Sequence, residues 1–102
     1  MTITLLSFDG CPHVESTLTR IRAALRAEGV HATIERVEVD SPEEAVRHGF
    51  LGSPSVRVNG RDIEPGADAR LEYGLACRTY ASPGGIEGTP SHDLIRAALQ
   101  GS

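Results

Sequence analysis

The sequence has no lysine and no tryptophan, a single methionine, two phenylalanines, two tyrosines and only two cysteines in 102 residues. Without lysine there is no side-chain amine for Schiff-base chemistry, and all ten basic residues are arginine. Fourteen acidic residues leave a net charge of -4, so there is no basic surplus to attract nucleic acid or an anionic membrane surface. Two widely separated cysteines do not make the disulfide framework of a small secreted domain. They fit better as redox-active, metal-binding or unpaired thiols. No apolar run approaches the length of a membrane span, and Met1-Thr2-Ile3-Thr4-Leu5-Leu6 opens on a strand without the basic start and apolar region of a secretory signal. A cytoplasmic location is therefore expected. With no repeat, low-complexity tract or linker, residues 1–102 read as one domain.

Thr2 to Phe8 is a nearly continuous apolar and β-prone run, suited to a strand buried on both faces. From His13 to Glu28 the apolar positions Val14, Leu18, Ile21 and Leu25 recur at helical spacing, and Gly29 closes the helix. Val30 to Val39 alternates and reads as a second strand. Ser41-Pro42-Glu43-Glu44 then supplies a capping residue, a proline at the first helical position and a Glu at the third, which starts a short helix to about His48. Asn59-Gly60, between Ser53–Val58 and Arg61–Glu64, is the signature of a two-residue hairpin turn with positive φ at both residues. Pro65 to Gly88 is irregular, and its conformation is left open. Thr89-Pro90 is expected to cap a last helix whose Leu94, Ile95, Ala98 and Leu99 face inward.

The order of elements is β-α-β-α-β-β-α. It predicts an α/β fold with a four-stranded mixed sheet, the first strand central, and an insertion before the last helix. This is the thioredoxin-like topology. The third strand then runs antiparallel to the first, which brings Pro54 beside Cys11. In that fold a cis proline occupies the corresponding place and offers the backbone of the preceding residue to a substrate chain, so a cis Ser53-Pro54 bond is expected. The insertion leaves from the same end of the sheet and is long enough to bring Cys77 back toward Cys11, within disulfide reach in an oxidised form.

Cys11 stands between the first strand and the first helix, where unpaired N–H groups and the helix dipole favour a thiolate. The same position also suits a small buried cysteine with no chemistry. His13 could pair with the sulfur or be a solvated first-turn side chain, while Asp9 adds opposing negative charge. Val14 occupies the place of the second cysteine of a Cys-x-x-Cys motif, so an intermediate on Cys11 must be resolved by Cys77, by glutathione or another small thiol, or by a partner protein.

Three stretches, Phe8-Asp9-Gly10-Cys11-Pro12, Phe50-Leu51-Gly52-Ser53-Pro54 and Tyr73-Gly74-Leu75-Ala76-Cys77-Arg78-Thr79-Tyr80, together resemble small bacterial thioredoxin-fold proteins with an FDGCP motif. These are often described as thioredoxin-family or alkylmercury-lyase-like, and some relatives carry selenocysteine where Cys11 stands. The resemblance implies a redox nucleophile at Cys11 and a paired role for Cys77. The expected activity is thiol-disulfide oxidoreduction, with Cys11 and Cys77 catalytic and Pro12, His13, Ser53 and Pro54 in contact with a thiol or disulfide substrate. Neither a cofactor nor a resident metal is expected. Two alternatives stay open: soft-metal binding of Zn, Cu or Hg through Cys11 and Cys77, and a redox-inactive interaction module.

Overall fold

A computed structural model describes residues 1–101 of the chain. The opening run forms β1 (Thr2–Ser7), which buries Ile3 and Leu5 on one face and Leu6 on the other. Helix α1 (Val14–Glu28) buries Val14, Leu18, Ile21 and Ala24, and its own Thr17 lies within the same stripe. It ends at Gly29, whose φ of +63° suits a residue without a side chain, and the Gly29 and Val30 amides donate back to Arg26 and Leu25 carbonyls. The expected second strand is shorter than its alternation suggested: β2 covers Thr33–Glu38 and pairs in parallel with β1, from Thr2 opposite Thr33 to Ser7 opposite Glu38.

Helix α2 (Pro42–His48) begins as the capping pattern requires, with the Ser41 hydroxyl accepting from the Glu44 amide at 3.1 Å. The Glu44 carboxylate reaches one residue further back than a full capping box, accepting from the Asp40 amide at 3.4 Å. Strands β3 (Ser55–Val58) and β4 (Arg61–Asp62) are joined by Asn59 and Gly60 at φ +51° and +84°, the positive pair that a tight hairpin needs. β3 lies antiparallel to β1, with Leu6 opposite Ser55. The four strands form one mixed sheet in the order β2-β1-β3-β4.

The segment left open by the sequence holds a 3₁₀ turn (Ala67–Ala69), an extended stretch, and a small hairpin of β5 (Tyr80–Ser82) and β6 (Gly85–Glu87). Helix α3 (His92–Gln100) starts later than expected. Its cap is Ser91, whose hydroxyl accepts from the Leu94 amide at 3.1 Å, and not Thr89-Pro90.

One core joins Ile3, Leu5, Val56 and Val58 of the sheet to Val14, Leu18, Ile21, Ile95 and Leu99 of α1 and α3. A second, smaller core holds Leu6, Val39, Ala45 and Phe50 around α2. The sheet is therefore packed on both faces, which explains why β1 reads as continuously apolar. No helix among the described residues is long and apolar enough to cross a membrane.

Candidate functional site

The sheet and α1 fix the position of Cys11. After β1 the chain turns through Gly10 at φ +83°, and the Cys11 amide closes the turn on the Phe8 carbonyl at 3.3 Å. Cys11 is half-buried and packs against the larger core, while Pro12 is exposed. Helix α1 starts at Val14, with His13 as its cap, so Cys11 stands three residues before the first helical residue. Pro12 accordingly precedes the helix.

The His13 carbonyl is heavily used, accepting from the Thr17 amide at 3.1 Å, the Thr17 hydroxyl at 2.6 Å and the Ser16 hydroxyl at 3.1 Å. Its imidazole lies against Gly88, where any Cβ would overlap the ring. No hydrogen bond among the described residues joins His13 to the Cys11 sulfur. The ring braces the end of the insertion, an arrangement the helix-start position could not reveal.

Ser53-Pro54 is a cis peptide, and both residues are buried. The Ser53 hydroxyl accepts from the Phe8 amide at 3.4 Å and so ties this loop to the Cys11 turn. The expectation that Ser53 turns unpaired backbone groups toward Cys11 is not met. Its N–H donates to the Ala76 carbonyl at 2.8 Å and its C=O accepts from the Arg78 amide at 2.9 Å, a parallel bridge to Cys77. The physical reason is that the chain supplies its own partner. Residues 74–78 run alongside 50–53, beginning with the Gly74 amide on the Phe50 carbonyl at 3.1 Å.

A buried charge anchors this strap. Arg78 is 2% exposed and donates to both carboxylate oxygens of Asp62 at 2.7 and 2.8 Å, to Glu64 at 3.2 Å and to the Ser55 hydroxyl at 3.0 Å. Its guanidinium carbon lies 4.6 Å from the centre of the Tyr80 ring. Burial opposes the Arg78 charge, but Asp62, Tyr80 and Glu64 outweigh it and raise its pKa above the ordinary arginine value. Burial pushes the Tyr80 phenol upward, and its hydroxyl donates to the Pro54 carbonyl at 2.6 Å. Beyond Tyr80 the insertion reaches α1, where Ser16 and Thr89 hydroxyls meet at 2.8 Å and Arg20 contacts Glu87 at 3.4 Å and the Pro90 carbonyl at 3.1 Å.

Both cysteines are free thiols, Cys11 half-buried and Cys77 exposed on the strap. The expectation that the insertion brings Cys77 within disulfide reach of Cys11 is not met: the two thiols do not stand at disulfide distance, because the strap pairs with residues 50–53 and leaves Cys77 beside Ser53. Among the described residues no group of three or more His, Cys, Asp and Glu side chains could hold a metal ion.

On the β2 side an open cleft of about 460 Å³ lies against Cys11, lined by Phe8, Asp9, Gly10, Pro12, Val14 and Glu15 together with Arg36, Val37 and Glu38. A slightly larger hollow of about 500 Å³ sits at the β4 edge, but it contains no nucleophile, and its Asp62 and Glu64 are committed to Arg78. The smaller cleft is the one of these two that contains a cysteine. Sequence reading named one wall of that cleft and missed Arg36 and Glu38. The parallel register that puts Glu38 opposite Ser7 is what brings them there. Compared with family models, curated proteins and solved structures, the chain matches none.

Proposed function

We propose that this chain is a thiol-disulfide oxidoreductase of thioredoxin-like topology, with Cys11 as the attacking thiolate and Cys77 as the resolving thiol. The observation that carries the reading is the setting of Cys11. It is a half-buried cysteine just ahead of a helix start, at the end of a central strand, open to solvent through a cleft of its own.

The Cys11 thiolate attacks one sulfur of a disulfide, that S–S bond breaks, and the departing thiolate takes up a proton. The other half of the disulfide stays on Cys11. The Cys77 thiolate then attacks the Cys11 sulfur and expels the second thiol, leaving Cys11 and Cys77 joined. A low-molecular-mass thiol, two equivalents in all, reduces that pair and restores both cysteines. The two thiols do not stand at disulfide distance, so this step requires the strap to carry Cys77 from its place beside Ser53 toward Cys11.

Mass spectrometry with and without alkylation after mild oxidation tests the reading. The expected result is loss of two hydrogens within one chain, reversed by reductant, and a glutathione adduct on Cys11 when Cys77→Ser is oxidised in its presence. An unreactive Cys11, or oxidation that gives only intermolecular dimers, overturns it.

A further inference from the structure

We propose that the Cys11 cleft takes small disulfides bearing positive charge and that an extended peptide cannot pair beside it; this rests on the oxidoreductase reading above. On the β3 side of Cys11 the backbone edge that an incoming chain would use is already taken. Ser53 has both backbone groups bonded to Ala76 and Arg78, and Gly52 is so close to the strap that a Cβ would stand 3.0 Å from the Ala76 carbonyl oxygen. The buried pairing of Arg78 with Asp62 and Glu64 holds the strap down. Pairing a peptide there requires breaking that network.

The β2 side is different. No residue of the strap lines the cleft, and its volume of about 460 Å³ suits a small molecule. Four charged residues line it: Asp9, Glu15 and Glu38 against Arg36. All four are exposed, and none belongs to an ion pair among the described residues. Their carboxylates outnumber the single guanidinium, so the cleft presents a negative surplus around the sulfur. A disulfide flanked by ammonium groups, such as cystamine, meets complementary charge there, and one flanked by carboxylates meets repulsion. In the reaction the Cys11 thiolate bonds to one cystamine sulfur, the cystamine S–S bond breaks, and the released aminothiolate takes a proton. The Cys77 thiolate then attacks the Cys11 sulfur, the second aminothiolate leaves and takes a proton, and two equivalents of a small thiol reduce the Cys11–Cys77 pair, being oxidised to their own disulfide.

The test uses the reduced full-length chain and follows modification of Cys11 by mass spectrometry with cystamine, neutral hydroxyethyl disulfide and anionic dithiodiglycolate. Each rate is divided by that of a free N-acetylcysteine amide thiol, which removes differences in leaving group. Cystamine is expected to lead the neutral reagent by about 3- to 10-fold at low salt and the anionic reagent to trail it, with the spread collapsing in about 1 M salt. Glu15→Gln with Glu38→Gln should narrow the spread, and Arg36→Gln should widen it. A neutral extended peptide disulfide should react no faster than hydroxyethyl disulfide. Equal normalised rates, an anionic preference, or a faster peptide overturns the inference while leaving the oxidoreductase reading standing. A Cys11 that reacts with none of them overturns both.

Discussion

Asp62 receives the Arg78 guanidinium on both of its carboxylate oxygens, at 2.7 and 2.8 Å, and so joins the β4 edge to the strap that covers the Ser53-Pro54 loop. Arg78 is buried, so loss of its main partner leaves a poorly compensated charge away from water. Asp62→Asn is expected to destabilise the fold by about 3 kcal/mol, the low end of the range for a broken buried pair because Glu64 remains. Urea denaturation measures it. A loss under about 1 kcal/mol would show that the pair is not what holds the strap.

Local signals in the sequence were readable because each rests on neighbouring residues. Asn59-Gly60 makes its turn, Ser41 caps α2, and the spacing of Val14, Leu18 and Ile21 marks the buried stripe of α1. The strap was opaque for the opposite reason. Residues 74–78 bond backbone to backbone with 50–53, and such pairing leaves no periodicity in side chains. No neighbouring residue marks Arg78 as buried, and its partner Asp62 is brought to it by β4, sixteen positions earlier in the chain. At the site, Gly10-Cys11-Pro12 between strand and helix was legible. Arg36 and Glu38 were not, because only the register of two parallel strands carries them to the cleft.

Gly52 has φ +121°, and a side chain there would stand 3.0 Å from both the Ala76 carbonyl oxygen and the Arg78 Cβ. Gly52→Ala therefore combines backbone strain with a clash against the strap, costing about 1–3 kcal/mol. The strap should loosen first. Hydrogen exchange at the Arg78 amide and alkylation of Cys77 should both accelerate, while alkylation of Cys11 should change by less than about twofold because the cleft lies on the other side.

Tyr80 makes stability depend on alkaline pH. Burial raises its phenol above the ordinary value of 10.0, Asp62 and Glu64 add to this, and Arg78 only partly opposes it. The fold favours the neutral phenol, so this contribution is fully present below about pH 10 and is lost as pH rises through the higher folded value. Denaturation midpoints should fall above pH 10 in the parent chain and fall less steeply in Tyr80→Phe. At pH 7 the same variant should cost about 1–2 kcal/mol, since the Pro54 carbonyl loses its donor.

His13 and Gly88 should behave as one unit. The imidazole fills the space that a Gly88 side chain would need, and among the described residues no hydrogen bond joins it to Cys11. Gly88→Ala alone must push the ring aside and is expected to cost about 1 kcal/mol, since overpacking a close contact is unfavourable. In a His13→Ala background that space is open, and the same Gly88→Ala change should cost almost nothing. The difference is a coupling energy of about 1 kcal/mol, read from a double-mutant cycle of urea midpoints. His13→Ala should meanwhile leave the Cys11 alkylation rate within about twofold of the parent, because the ring serves the insertion. If the imidazole instead stabilised the Cys11 thiolate, removing it would slow alkylation near neutral pH by much more than this.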